Sequence, residues 1–336
     1  MRICTLLFLA AFFVGGLVIS TASTNAALVS HWAFDDGSGM TATDSAGAND
    51  GILGPQGLNV GQGAWDYTAP DWVTGKIGGA LAFSGGSYPG PGDAVQVPDA
   101  PSLNSLDFSV SVWINTAQTA NFVGYVTKGW GHNIGDPGGW MIDSNNGARA
   151  QVSSDTVAYT ATAATSIADG AWHSVVATYD GASGSLRAYV DGILIDTQTG
   201  TLGLTVKDVM IGGDGYSTIL YSGLLDDIGY WSSTLTEGQA KSLYGLGDSS
   251  LNYDLKAAQR LWDLHEAGAG SVEVGGLTWY PTTGLGGGLG AVEESAGAFY
   301  LQLCTDGTGV TTTPEPSVLV LLLFTAAVLG LLRTRR

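Results

Sequence analysis

The sequence predicts an all-β protein, an antiparallel β-sandwich or jelly roll, followed by a small α+β accessory region. Two patterns favour this fold: short stretches in which apolar and polar residues alternate, and Gly, Asp and Ser turns that separate them at regular spacing. The 51 glycines follow no three-residue period, which excludes collagen and agrees with many tight turns.

Two stretches carry the strand prediction most clearly. DFSVSVWIN places four apolar side chains on one face of a strand: Phe108, Val110, Val112 and Ile114. In SLRAYVDGILID, two alternating runs flank Asp191-Gly192, a dipeptide that favours a two-residue hairpin turn. Together they predict adjacent antiparallel strands.

Helical periodicity appears only late in the chain. TEGQAKSLYGLG predicts a short helix capped by Thr236, and NYDLKAAQRLWDLHEAG a longer helix that ends at Gly268. The longer helix, followed by two or three strands, forms the accessory region. We therefore divide the chain into a signal peptide (1–26), a sandwich domain (27–246), the accessory region (247–310), a linker with a Pro-Glu-Pro motif (311–316) and an apolar tail with a basic end (317–336).

The N-terminus has the layout of a secretory signal peptide. Arg2 precedes an apolar run, and small residues lead to Thr24-Asn25-Ala26, which predicts cleavage after Ala26. An uncleaved membrane anchor is the alternative. We expect the chain to be exported.

The C-terminus, TTTPEPSVLVLLLFTAAVLGLLRTRR, combines a proline-rich triplet, an apolar run and a basic end. Its order resembles the PEP–C-terminal (PEP-CTERM) sorting signal of exopolysaccharide-producing Gram-negative bacteria, with Pro314, Glu315 and Pro316 as the motif. The resemblance implies an exosortase as processing partner and a cell-surface, outer-envelope or matrix location. The apolar run is shorter than the roughly 20 residues that span a bilayer, but a transmembrane tail anchor remains the alternative.

The body between these signals is strongly acidic. Arg2, Arg333, Arg335 and Arg336 belong to the terminal signals, which leaves 8 Lys and Arg against 30 Asp and Glu, a net charge of about −22. Such a charge repels nucleic acid and anionic membrane surfaces. We expect membrane contact only through the tail. The charge suits a protein that binds neutral glycans or divalent cations, although on charge alone solubility is the better explanation.

Several blocks of residues 28–246 carry a family resemblance. LVSHWAFDDGSGMTATDSAGANDGIL, GKIGGALAFSGG, DGAWHSVVATYDGASGSLRAYVDGIL and YSGLLDDIGYWSSTLTEGQAKSLY occur in order. They resemble a laminin-G-like, concanavalin-A-like lectin/glucanase jelly roll. The resemblance implies a secreted binding or adhesion module that recognises a polysaccharide or matrix ligand.

A polysaccharide-active enzyme, either a glycoside hydrolase or a lyase, is the alternative on the same fold. Glycosidases use two carboxylic acids, and the laminarinase-like enzymes of this fold carry them in a Glu-x-Asp-x-x-Glu style motif. Between His31 and Tyr244 the chain has one glutamate, Glu237, and it lies in the short predicted helix. We therefore expect no catalytic residues. A structural coat protein without a specific ligand is a third interpretation.

Structural calcium is the predicted cofactor, because Ca²⁺ takes about six to eight oxygen ligands, many of them carboxylates. First and last strands of a jelly roll commonly lie side by side, which would bring together five aspartates: Asp35, Asp36, Asp44, Asp226 and Asp227. Exposed turn aspartates are the alternative reading. A distant resemblance to pentraxins implies another calcium site at Asn133, Asp136 and Asp214.

Aromatic residues in or near the same loops predict a sugar-binding surface. Trp130, Trp140 and Tyr216 could stack on a pyranose while nearby polar groups bind its hydroxyls. Aromatic residues in Gly-rich sequence also serve as core plugs or loop anchors, and this interpretation stays open.

Overall fold

The computed structural model of the protein describes residues 27–59, 64–87, 92–129, 138–145, 147–154, 157–163, 166–213, 219–245, 272–274, 277–280 and 302–304. In chain order the strands are β1 (Leu28–Trp32), β2 (Thr41–Ala42), β3 (Gly51–Leu53), β4 (Leu58–Asn59), β5 (Ala64–Trp65), β6 (Asp71–Thr74), β7 (Gly79–Ser87), β8 (Val95–Val97), β9 (Phe108–Asn115), β10 (Gly124–Lys128), β11 (Gly139–Ser144), β12 (Ala148–Ser154), β13 (Val157–Thr162), β14 (Trp172–Asp180), β15 (Ser185–Val190), β16 (Ile193–Thr199), β17 (Val209–Ile211), β18 (Ile219–Trp231), β19 (Val272–Val274), β20 (Leu277–Tyr280) and β21 (Gln302–Cys304). A short 3-10 helix spans Pro101–Leu103, and the helix α1 spans Glu237–Gly245.

Two eight-stranded antiparallel sheets form the sandwich. The first sheet has the order β16-β15-β14-β9-β18-β7-β6, and β1 also pairs with β18. The second sheet has the order β13-β12-β11-β10-β17-β8-β3-β2. This arrangement confirms the predicted all-β jelly roll, and the expected proximity of the first and last strands is seen in the β1–β18 pair.

Strand β9 shows how the sequence pattern builds the core. The four apolar side chains of its predicted inner face, Phe108, Val110, Val112 and Ile114, all lie in the core between the sheets. The opposite face is also buried, and α1 packs against part of it: the ring of Tyr244 stacks on Trp113 with centroids 5.9 Å apart. The helix therefore covers part of the outer surface of the first sheet.

The predicted turn and cap occur where the sequence indicates them. Strands β15 and β16 pair as a hairpin, and the two turn residues have positive φ, 50° at Asp191 and 74° at Gly192, as a type I′ turn requires. At the start of α1, Thr236 Oγ1 accepts the Gln239 N–H at 3.2 Å while Gln239 Oε1 accepts the Thr236 N–H at 2.9 Å. These reciprocal bonds form a capping box.

Other predicted features lie partly outside the described residues. Strands β19, β20 and β21 form a small antiparallel sheet within the accessory region, whereas the longer helix predicted before them, the signal peptide and the C-terminal tail lie outside. Among the described residues, no helix is long and apolar enough to cross a membrane.

Candidate functional site

A β-bulge in β18 sets the position of the last-strand aspartates. The pairing of β18 with β9 shifts between Asp226 and Gly229, and Asp227 has a φ of 51°. Leu225 and Ile228 both point into the core, so the extra residue places two successive carboxylates, Asp226 and Asp227, away from it. A regular strand would send one of the two inward.

Asp227 pairs with a histidine of the first strand. His31 Nε2 lies 2.6 Å from Asp227 Oδ1, and His31 Nδ1 lies 2.7 Å from Ser45 Oγ. The His31 and Asp227 side chains are 0% and 1% exposed. This buried pair connects β1, β18 and the loop after β2.

Asp226 is enclosed by the turn between β6 and β7. Its Oδ2 accepts the backbone N–H groups of Lys76 and Ile77 at 2.7 and 2.9 Å. A Cβ at Gly75 would lie 2.5 Å from Asp226 Oδ2, so only glycine lets this turn close over the carboxylate. Asp226 is fully buried, and its Oδ1 has no hydrogen-bond partner. Burial, followed by the charge of Asp227, raises the pKa of Asp226 to about 9.

The other three predicted ligands accept hydrogen bonds from backbone N–H groups. Asp44 accepts four backbone N–H groups, from His31, Ala46, Gly47 and Asn49, at 2.8–3.1 Å. Asp36 accepts the Thr43 N–H and hydroxyl, and Asp35 accepts the Gly79 N–H at 2.6 Å.

The five carboxylates therefore do not converge on one point. Within the described part of the chain, no group of three or more His, Cys, Asp or Glu side chains is arranged to hold a metal. Asp226 combines complete burial with an oxygen that accepts no hydrogen bond in this structure. The calcium prediction consequently depends on Asp226, with Asp35 near enough to add to the rise in its pKa.

Trp140 is the one predicted sugar-binding aromatic residue within the described range, and it lies in the core. Its ring stacks on Phe108 and on Tyr230, with centroids 5.5 and 5.8 Å apart, and the residue is 5% exposed. Its position in β11 directs the ring between the sheets, so it offers no face to a sugar. Trp130, Tyr216, the alternative ligands Asn133, Asp136 and Asp214, and the sorting residues Pro314, Glu315 and Pro316 lie outside the described residues.

Glu237 and His173, elsewhere on the sandwich, have structural partners. Glu237 forms an i,i+4 ion pair with Lys241 at 2.7 Å. His173 lies 2.7 Å from Asp191 through Nδ1 and 3.2 Å from Asp169 through Nε2. Burial lowers the pKa of His173, but the two aspartates raise it more, so the pKa is above its usual value. This cluster joins the start of β14 to the β15–β16 turn.

A cleft at one end of the sandwich is a site that the sequence did not indicate. Its volume is about 240 Å³, and it lies between the loop after β9, the end of β11 and the loop before β14. Its polar walls come from five side chains: Gln118, Thr119, Asn121, Ser144 and Ser166. The buried Tyr125 also lines it, and none of the described lining residues is charged.

Hydrogen bonds hold the loop after β9 in place from both sides. Gln118 donates through Nε2 to Leu220 O and accepts the Ser222 N–H through Oε1, both at 3.0 Å. Ser144 Oγ donates to Ala120 O at 2.7 Å and accepts the Val123 N–H at 3.1 Å. The cleft is therefore pre-formed.

A buried ion pair lies beside the cleft. Arg149 and Asp143 are cross-strand partners on β12 and β11, they form a two-point ion pair, and they are 7% and 2% exposed. The Phe122 ring covers the guanidinium at 5.0 Å. Phe122 has a φ of 61°, unusual for a bulky residue, and its N–H donates to Ser144 O at 2.6 Å. The exposed Phe122 therefore shields this pair from water.

Comparisons with known proteins agree with this architecture. Residues 89–241 match the laminin-G family model described as the concanavalin A-like lectin/glucanases superfamily. No curated protein matches the chain significantly. Domain 4 of AbnA, an extracellular GH43 arabinanase from Geobacillus stearothermophilus solved with arabinotriose, aligns with a TM-score of 0.53 and 18% identity, over 66% of this chain and 99% of that domain.

Two further structures resemble the chain more weakly. The binding domain of Paraclostridial Mosquitocidal Protein 1 has a TM-score of 0.47 and 16% identity, over 65% of this chain and 51% of the other. The CBM40 of the Ruminococcus gnavus IT-sialidase has a TM-score of 0.41 and 14% identity, over 49% and 96%. Residues 89–241 are thus similar to a laminin-G-like domain of the concanavalin A-like lectin/glucanase superfamily, and the two-sheet sandwich agrees with this similarity.

Proposed function

We propose that this protein is a non-catalytic carbohydrate-binding module that acts outside the cell, at the surface or in a polysaccharide matrix. The observation that carries the proposal is the pre-formed cleft, whose described walls present amides and hydroxyls and no charge. Sugar sites combine a few placed polar groups with apolar or aromatic surface, and the partly exposed Ala120 and Ala168 supply apolar surface here.

The composition of the cleft favours binding over hydrolysis. Glycosidases need two carboxyl groups flanking the scissile bond, one of them able to donate a proton. The described cleft contains none, and burial, followed by the charge of Asp143, raises the pKa of Tyr125, which keeps its phenol neutral. The lectin/glucanase family match and the arabinotriose complex of the AbnA domain support a glycan as the class of ligand.

Structural calcium at Asp226 is part of the proposal. A buried carboxylate oxygen without a donor carries a desolvation cost that a proton or a cation removes. Asp226 Oδ1 is such an oxygen, and Ca²⁺ prefers oxygen ligands. When bound, the ion would displace the proton that the raised pKa keeps on Asp226 and would fasten the β6–β7 turn to the β18 bulge.

Thermal unfolding of the full chain, with calcium or with EDTA, tests this site. Ligand bound only to the folded state stabilises it by about 2.7 kcal/mol at a hundred times its dissociation constant. We expect an upward shift for the wild type and for the exposed control Asp71→Asn, and none for Asp226→Asn. A shift that persists in Asp226→Asn would contradict the assignment.

Export and C-terminal sorting complete the proposal. The signal-like N-terminus and the Pro-Glu-Pro tail support secretion and processing by an exosortase-type enzyme in a Gram-negative host, with the tail as a transient or permanent anchor. Mass spectrometry of the mature protein tests both ends. An N-terminus at Ala27 is expected, and a mass that includes residues 1–26 would contradict signal cleavage. Loss of the tail would support exosortase processing, and a retained tail would support the permanent anchor instead.

A glycan array probed with the purified full chain tests the binding function. We expect selective retention on a subset of glycans and release of no reducing ends over prolonged incubation. A protein that binds no glycan on the array, with or without calcium, would be a structural coat protein instead. Release of reducing ends would show a polysaccharide-active enzyme.

A further inference from the structure

The absence of charged side chains from the described walls of the cleft limits which ligands it can bind. The chain carries a net charge of −18, so an anionic ligand is repelled unless Lys or Arg compensates, and neither is among the described lining residues. A cationic ligand would in turn find no carboxylate there. Hydroxyl and amide side chains such as Thr119, Asn121 and Ser166 can both donate and accept hydrogen bonds. The complementary ligand is therefore uncharged and rich in hydroxyl groups.

The size of the cleft limits how much of a ligand it encloses. Pockets for drug-sized molecules occupy roughly 300–1,000 Å³, and this cleft is smaller, at about 240 Å³. It combines polar walls with the small, partly exposed apolar side chains of Ala120 and Ala168. One sugar ring, with a hydroxyl edge and a C–H face, fits this volume and chemistry better than an extended chain.

The loop needs little rearrangement to bind. Thr116 Oγ1 donates to Ser222 O at 2.6 Å and accepts the Gln118 N–H at 2.9 Å. The Gly170 N–H donates to Thr116 O at 2.9 Å, which joins the loop before β14 to the loop after β9. Because these bonds fix the loops beforehand, less conformational entropy is lost on binding.

We propose that this cleft holds one uncharged sugar ring, the terminal residue of a glycan. Thr119, Asn121 and Ser166 bind the ring hydroxyls, and Gln118 and Ser144 position the loop that carries the first two. The inference rests on the proposed carbohydrate-binding function and deepens it by naming the site and the class of sugar.

The test uses the full chain and isothermal titration calorimetry. The probes are oligosaccharides that end in glucose, galactose or arabinose, and the same cores ending in a sialic or uronic acid. We expect the wild type to bind at least one neutral terminus and to bind the acidic counterparts at least tenfold more weakly. A preference for acidic termini would overturn the inference while leaving glycan binding in place.

Variants locate the site. Thr119→Ala/Asn121→Ala should weaken binding of the neutral probe at least tenfold, and Asn121→Asp, nearly the same in size but charged, should do likewise. The matched control Thr197→Ala/Gln198→Ala changes the same kinds of side chain at two exposed positions of β16 and should bind as the wild type does. Circular dichroism checks that each variant is folded. If the double variant does not fold, Asn121→Asp alone tests the site.

The outcomes separate this inference from the broader function. If both cleft variants bind the neutral probe with wild-type affinity, the site is elsewhere and the inference is wrong, although the protein still binds glycans. If the wild type binds no glycan on the array or by calorimetry, the proposed function fails and the inference fails with it.

Discussion

His31 Nε2 and Asp227 Oδ1 lie 2.6 Å apart although 196 positions separate them in the chain. The contact joins the first strand of the sandwich to its last at the β18 bulge, and neither side chain is more than 1% exposed. This buried pair fastens β1 to β18, where the two ends of the domain meet.

Asp227→Asn should destabilise the fold. Asparagine keeps the size of the side chain and tolerates the positive φ at this position, but it removes the negative charge that faces His31. A hydrogen bond to a charged group contributes about 1.5–3 kcal/mol, and we expect a loss in that range by urea unfolding. Asp169→Asn, which alters the exposed Asp169–His173 pair instead, should have a smaller effect; an equal loss would contradict a special role for the buried pair.

The His173 cluster should make stability pH-dependent in one direction. The pKa of His173 is raised in the folded state by Asp191 and Asp169, against the lowering effect of burial. The stabilisation is therefore complete below the unfolded pKa of about 6.5 and is lost as the pH rises through the higher folded value. We expect less than about 1 kcal/mol, since the cluster is partly solvated.

Urea unfolding of wild type and His173→Gln between pH 5 and pH 9 checks this prediction. The difference in unfolding free energy between the two should shrink as the pH rises. A difference that grows with pH would show that the neutral imidazole, and not the protonated one, is favoured by folding.

Trp140→Ala should cost about 3–5 kcal/mol of stability, the range for removing a large aromatic side chain from a core. The ring packs on Phe108 and Tyr230, so Trp140→Phe should retain much of this packing and cost less. Glycan binding by the folded Trp140→Phe variant should equal that of the wild type. A selective loss of binding without a loss of stability would revive Trp140 as a sugar contact.

Arg149→Ala should also be strongly destabilising, because it leaves the carboxylate of Asp143 buried without its cation. Removing one partner of a buried ion pair lowers the free energy of unfolding by about 3–5 kcal/mol. Asp143→Leu/Arg149→Leu removes both charges and should recover much of that loss. Urea unfolding measures both variants, and a double variant less stable than the single one would mean that the charges themselves are required.

Local patterns in the sequence predicted much of the sandwich. The alternation in β9 identified its core face because strand side chains alternate strictly between the two sides. The Asp191-Gly192 turn and the Thr236 cap depend on neighbouring residues only, and both are formed. Four of the five predicted calcium ligands, by contrast, accept hydrogen bonds from backbone N–H groups, and the sequence does not reveal these partners.

The orientation of a side chain and its contacts with distant residues could be determined only from the folded structure. Trp140 is one aromatic residue among several in Gly-rich sequence, and only the packing of β11 against β9 sends it into the core. The extra residue at Asp227 is invisible in a strand pattern and appears only when β18 pairs with β9. The cleft joins three segments distant in the chain. Periodicity and turn chemistry are local and can be read from neighbours, whereas a bulge, a buried ion pair and a cleft exist only once distant segments meet.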